Sequence, residues 1–522
     1  MSDKQVFWLM VLLSGAVAVI GVLSRPLLPV DETRYLSVAW EMFQNHNYLI
    51  PHKNGEIYTH KPPLLFWLIN LVWAVTGPSE FAARLVGPAF GLASLFATVR
   101  LGRLLWPDHP ETGWRAGVIL AGFLVFSLFA GLTMFDSMLT LATLLGLSEL
   151  VLATAPSTPQ ARRRGHWIGL GLALGLGVYA KGPVILLHIL PPLLLYRLWT
   201  PAPRPWPRQI LRGGAVAVLV ALAVVALWLV PAIIAGGAEY RTAILWTQSA
   251  GRVTSSFAHA RPVWTFLILA PALFFPWIWL PQSWRCLWRA NWRDTGLRLC
   301  AIWFLSTFVL FSLVSGKQAH YLLPEYPALA LMLARVLPGK FSRASVALAV
   351  LPVVVAGIYL TAIGLGLIPL SGVLELLQPR RAPLIFGLLL LILSGLVLRR
   401  TTQAGLAVLG LGVLLIINGL IAQTRLRPVY DAARLAKIAA PHEADGIAVI
   451  NMSYNAEFNY TGRLTQPVAV LKTADLDAWI SSHPKGVMIG RRDRAKPGWP
   501  ARQEIIFMDQ PYRIWFVSDK KE

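Results

Sequence analysis

The chain is 522 residues long, 56% hydrophobic and only 14% charged, with a mean hydropathy of +0.58. A soluble protein of this length needs far more polar surface, and apolar runs able to cross ~30 Å of hydrocarbon recur along it, so a soluble globular fold is excluded. The net charge of +22 would suit a nucleic-acid partner, but basic residues also collect in short loops that resist translocation, and their positions favour the second origin.

Taken in order, the N-terminus carries Lys4 and then an apolar run with no small-residue cleavage site before Arg25-Pro26, which reads as an uncleaved first span. Spans are expected at 6–27, 80–102, 114–132, 137–155, 166–181, 183–200, 213–235, 263–281, 297–314, 321–338, 344–368, 383–398 and 404–422, thirteen in all. One set of turns between them carries Arg100 and Arg103, Arg162 to Arg164, Arg204 to Arg212, Arg285 to Arg298, Arg335 to Arg343, and Arg399 with Arg400. The positive-inside rule makes that set cytoplasmic, with the tail outside; Arg380 and Arg381 run against it. The basic excess is then topology, and no nucleic-acid footprint is expected.

The run Leu64 to Val75 is too short to span and reads as a helix lying on the outer leaflet. Before it, Tyr35, Val38, Ala39, Met42 and Phe43 recur at helical spacing, which predicts a second surface helix starting at Asp31-Glu32. Beyond Thr424 the pattern changes. Short strands at 446–450, 485–489, 504–508 and 512–517, with helices at 429–440 and 474–480, predict a small α/β domain over 424–522 that caps or docks an acceptor. Residues 1–423, with the outer loop 28–79, form the membrane domain. The two cysteines, Cys286 and Cys300, cannot make a disulfide framework and sit in no metal-type spacing.

The candidate chemistry lies on the outer side. Asp31 and Glu32 stand where the first span leaves the bilayer, an expensive place for carboxylates and so a functional candidate; the alternative is that they only cap the next helix. Asp136 lies between two spans with almost no loop. Lys61 in His60-Lys61-Pro62-Pro63, Lys181 before Gly182-Pro183, Arg34, Arg261, and Lys317 with Tyr321 supply cations and a hydroxyl from distant parts of the chain. One Lys at a helix end usually snorkels to headgroups; several around a carboxylate at one depth suggest a site for a phosphorylated lipid. His60 and His259 could share a divalent metal, though two imidazoles need a carboxylate or water to complete the site.

The string Val30-Asp31-Glu32-Thr33-Arg34-Tyr35, then His60-Lys61-Pro62-Pro63-Leu64 and Glu80-Phe81-Ala82-Ala83-Arg84, resembles the bacterial membrane glycosyltransferases of the aminoarabinose transferase type. Ala180-Lys181-Gly182-Pro183 and the stretch from Lys317 to Pro327 are similar to that family's later motifs, so the likeness runs along essentially the whole chain. It implies a GT-C fold, related to the protein O-mannosyltransferases, in a bacterial inner membrane with the site and tail on the periplasmic side. It implies inverting transfer of a sugar from an undecaprenyl-phosphate carrier to lipid A or another envelope acceptor. In that resemblance Asp31 is the catalytic acid or base, Asp136 the second acid, and Lys61, with Lys317 and Tyr321, the binder of the lipid phosphate. One departure stands out: His60 occupies a position where these transferases commonly have Glu.

Two other function classes compete. A lipid transporter expects ionisable residues at mid-span and two matching halves, whereas these acids cluster at outer ends without a clear repeat. A sister transferase acting on a protein or a surface polysaccharide differs only in its outer loops and tail.

Overall fold

The computed structural model describes residues 1–244, 261–495 and 497–520. Helix α1 (Asp3–Ser24) enters the membrane and ends before the Arg25-Pro26 turn. The outer loop then forms α2 (Asp31–Asn45), the two-stranded ribbon β1 (His52–Lys53) and β2 (Glu56–Ile57), and α3 (Leu64–Thr76). A short α4 (Glu80–Arg84) leads almost without interruption into α5 (Val86–Leu105). Then come α6 (Glu111–Gly122), α7 (Leu124–Ala130), α8 (Phe135–Thr154) and α9 (Gln160–Lys181).

Among the described residues, nine helices are long and apolar enough to cross a membrane, or ten if α6 and α7, bent by 77°, count as one. Thirteen were expected. The expected spans 263–281 and 321–338 instead hold helices of nine and eleven residues, Thr265–Leu273 and Tyr326–Val336, each joined to a 3-10 turn. At 1.5 Å per residue neither covers the hydrocarbon. The continuous helical run Gln160–Leu194 does contain the expected reversal. Leu170, Ala173 and Ile189 all lie within 4 Å of where a side chain on Gly146 would stand, so the chain folds back at Gly182, whose φ is +79°. Lys181 is the tip of that hairpin.

Pairings at the two ends of the bundle define two faces. Arg100 with Glu149 and His166, Trp106 and Arg335 with Asp294, and Arg115 with Asp3 meet at one end. Arg25, Glu32, Arg84 and Thr133 meet at the other.

The chain after Gln423 carries a five-stranded sheet of order β4-β3-β5-β7-β6. Strands β3 (Ile447–Ile450), β4 (Ala469–Leu471) and β5 (Val487–Arg491) are parallel; β6 (Gln503–Phe507) and β7 (Gln510–Phe516) add antiparallel. Ile447–Ile450 is buried at every position, as a parallel strand covered on both faces requires. The two-residue turn Met508-Asp509 has positive φ at both residues, the geometry that matches hairpin twist.

This tail sits on the outer loop. Ser37 Oγ donates to the Ala456 carbonyl at 2.8 Å and Trp40 Nε1 to that of Leu464 at 2.9 Å. Asn54 exchanges two 2.8 Å bonds with the Val468 backbone. Tyr460 stacks on Trp73 with centroids 5.3 Å apart and donates its hydroxyl to Pro78 O. Consequently α2 is not the surface helix expected: every residue from Glu32 to Met42 except Arg34 is buried, because the tail covers the face that periodicity assigned to water.

Tyr460→Ala should lower the melting temperature of the purified protein well below that of Tyr460→Phe. Losing a buried aromatic costs roughly 3–5 kcal/mol, and losing one hydroxyl bond about 1 kcal/mol. Equal melting of the two variants would show that the stack on Trp73 contributes nothing.

Candidate active site

Adjacent residues on a helix point about 100° apart, and α2 uses this to separate two carboxylates. Asp31 faces outward with its side chain 40% exposed, and its Oδ1 accepts from Arg34 at 2.5 Å and from Tyr35 Oη at 3.0 Å. Both partners lie one turn further along the helix, where spacing of three or four brings side chains together.

Glu32 turns into the bundle and is 1% exposed. Its Oε2 accepts from Arg25 Nη1 at 2.5 Å and from the Leu28 amide at 3.1 Å, with Arg84 at 3.8 Å; its Oε1 accepts from the Thr133 amide at 2.9 Å. Burial pushes its carboxyl up, but Arg25 and Arg84, with the two amides, hold it below the usual carboxylate range. Both oxygens are thus committed to structural partners: Glu32, a catalytic candidate in the sequence, is held as a buried ion pair one residue from Asp31. The two arginines spread the same contact, Arg25 to Gly131 O and Arg84 to the carbonyls of Val22, Arg25 and Pro26.

Asp136, in the first turn of α8, is buried and ion-paired with Lys181. The Lys181 ammonium lies 4.6 Å from the centroid of the Tyr321 ring. Beside Asp136, the Phe135 ring forms a common floor: Tyr35 meets it at 4.8 Å, Phe66 at 5.6 Å, and Lys61 Nζ lies 5.5 Å from its centroid. His320 closes the group, 5.0 Å from Tyr321 and 5.4 Å from Phe129. Its imidazole is lowered to about 4, by burial above all; Asp136 raises it, Lys181 and Lys61 lower it, and Asp31 raises it. Tyr35 and the Phe135 ring link Asp31 to Lys61, and Asp136 next to Phe135 carries the pair with Lys181, so the four groups lie around one floor; burial favours the neutral form of His320 beside them.

Two other expected cations sit differently. Lys317 is 1% exposed and donates to the carbonyls of Arg261 at 2.9 Å and Val314 at 2.5 Å, so its ammonium holds the backbone where a phosphate contact was expected. Arg261 is exposed, and its amide donates to Ser315 O. His60 is exposed with its ring 5.4 Å from Tyr58; His259 lies outside the described residues. Among the described residues no three His, Cys, Asp or Glu side chains gather with metal-binding geometry. Phe135 had no assigned part in the sequence reading, and Tyr35 entered it only on the apolar face of α2 and in the motif around Asp31. Tyr35 could have been found from its i+4 spacing to Asp31, but Phe135 reads as one more apolar residue.

The chain is similar to known proteins over much of its length. Residues 60–229 match a family described as dolichyl-phosphate-mannose-protein mannosyltransferase. The chain is 33% identical over 341 residues to an undecaprenyl phosphate-alpha-4-amino-4-deoxy-L-arabinose arabinosyl transferase of Pseudomonas aeruginosa, covering 65% of this chain and 60% of that one. A protein of the same name from Erwinia tasmaniensis is 28% identical over 313 residues, with coverage of 59% and 55%. The chain thus matches about 60% of the length of such relatives. Its fold is that of ArnT from Cupriavidus metallidurans solved with undecaprenyl phosphate, at a TM-score of 0.79, 18% identity and 98% coverage of each chain. The expected polytopic GT-C fold with a small C-terminal sheet is therefore the fold observed, and the resemblance to aminoarabinose transferases holds.

Glu32→Gln should destabilise the protein by about 3–5 kcal/mol, since it strands two buried guanidiniums. A carboxyl held low in the fold stabilises above its unfolded pKa and loses that contribution as pH falls through its folded one. Thermal melts of the wild type should therefore fall off below the usual carboxylate range. The same melts of Glu32→Gln should be flatter there, and a parallel acid profile would refute the assignment.

Proposed function

We propose that this protein is an inverting glycosyltransferase that moves a sugar from undecaprenyl phosphate to lipid A or a related envelope acceptor. The relatives' names point to 4-amino-4-deoxy-L-arabinose as the sugar. One observation carries the reading: an exposed carboxylate, Asp31, shares a site with the Lys61 and Lys181 cations at the outer end of a membrane helix.

Asp31 takes the proton of the acceptor hydroxyl, whose oxygen forms the new bond to the anomeric carbon. The bond from that carbon to the phosphate oxygen breaks, and the leaving polyprenyl phosphate carries off the negative charge. Lys61, Lys181 and Arg34 neutralise it, the electrostatic stabilisation that lowers such a barrier most. A single base opposite the leaving group gives inversion, with no second carboxylate nucleophile needed. Asp136 fixes Lys181, and Tyr35 with Arg34 fixes Asp31. No nucleotide or organic cofactor enters this scheme. A metal between His60 and His259 is not routed through it, because two imidazoles leave a divalent ion undercoordinated.

The orientation belongs to the same proposal. The end of the bundle joined by Arg100, Asp294 and Arg335 carries the basic turns, and positive-inside bias supports a cytoplasmic position for it and a periplasmic one for the Asp31 site and the tail.

Asp31→Asn should lower turnover by roughly 100- to 10,000-fold while leaving binding of undecaprenyl phosphate intact. Full activity of that variant on purified donor would sink the base assignment. Lys61→Ala should raise KM for the donor more than it lowers kcat. Mass spectra of lipid A from cells with and without the protein should differ by one pentosamine; no difference would send the acceptor to a protein or glycan.

A further inference from the structure

A second site lies at the opposite end of the bundle. Helices α5 and α6 and the turn between them line an open recess of about 540 Å³, within the roughly 300–1,000 Å³ typical of ligand sites. Arg100, Arg103 and Trp114 line it together with Phe96, Val99 and Leu104, which form its apolar floor in the helical order of α5. Residues 80–105 form one helical run that starts at the Glu32 contact through Arg84. Arg100 and Arg103 therefore stand ~24–28 Å further along its axis, close to the thickness of the hydrocarbon core. They mark the far membrane–water boundary.

The charge at this recess is not fully matched. Arg100 Nη2 meets Glu149 at 2.8 Å, but Glu149 also takes His166 at 2.7 Å. Arg103 has no carboxylate within 4 Å among the described residues; its guanidinium lies 5.8 Å from the Trp114 ring centroid. Positive-inside bias accounts for basic residues at this level, but not for an apolar and aromatic recess beside them. One turn deeper than Arg100, Phe96 is half-exposed and meets Phe7 and Trp8 of α1 at 5.3 and 5.4 Å, so the apolar lining continues onto the half-exposed Trp8.

We propose that this recess binds one anionic phospholipid of the surrounding bilayer, its phosphate between Arg100 and Arg103 and an acyl chain running inward past Phe96. A planar guanidinium suits phosphate oxygens, and basic pockets between helices at this level suit anionic headgroups. The apolar floor selects a lipid over free phosphate, which would use only the arginines. The site is separate from the sugar-transfer site and does not depend on that reading.

The full-length protein in phosphatidylcholine nanodiscs containing photoactivatable phosphatidylglycerol tests this. Crosslinks should map to residues 96–114, and unlabelled phosphatidylglycerol should compete them away while inorganic phosphate does not. Arg103→Gln leaves no acid unpaired, and it should cut labelling about fivefold, the effect of one basic residue beside an anionic headgroup. Equal labelling by photoactivatable phosphatidylcholine, competition by inorganic phosphate, or undiminished labelling of Arg103→Gln would each overturn the proposal. Competition measured on the wild type keeps the test decisive even if the variant folds poorly.

Discussion

A carboxylate without water must be neutralised and hydrogen-bonded or it will not stay charged, and Glu32 meets that demand with four chain segments at once. Arg25 brings the end of α1, Leu28 the following turn, Arg84 the start of the next long helix, and Thr133 the turn before α8. The two candidate acids are fastened by that knot: Asp31 is one residue from Glu32, and Asp136 three residues from Thr133. Close backbone contact supports it. A Cβ on Gly87 would stand 2.1 Å from the Leu132 carbonyl oxygen, so only glycine lets α5 approach the Thr133 turn this closely. The placement of both candidate acids thus follows from one buried salt bridge.

The sequence disclosed much of this fold because bilayers enforce simple rules on composition and charge. The long apolar helices, the basic turns and the strands of the tail are all legible as patterns. So is the gathering of Asp31, Lys61, Asp136 and Lys181 on one side. What could not be read is direction. Asp31 and Glu32 differ by one methylene, and only the arginines arriving from positions 25 and 84 decide which one is buried. Lys317 looked like a phosphate ligand because its ammonium could reach one; the turn at 314–317 and the backbone of Arg261 claim it. Helix counting reached thirteen where nine or ten of the described helices have the length of a span, since an apolar segment of nine to eleven residues inside a large bundle has the composition of a span without its length. Helix α2 misled through its outer face, whose covering lies more than four hundred positions away.

Charge is handled differently at the two ends of the bundle. At the Asp31 end the ion pairs of Glu32 and Asp136 are buried. At the Arg103 end the pairs of Arg100 with Glu149, Arg335 with Asp294 and Arg115 with Asp3 are partly exposed, and the Arg103 guanidinium lies against the Trp114 ring.

The bond from Ser37 to Ala456 joins positions 419 apart, and the neighbouring contacts of Trp40 and Asn54 are as remote. During synthesis the loop with Asp31 emerges about four hundred residues before the segment that covers it. The membrane helices between them are therefore made while that loop is still uncovered, and its outer surface is completed only by chain made long after it.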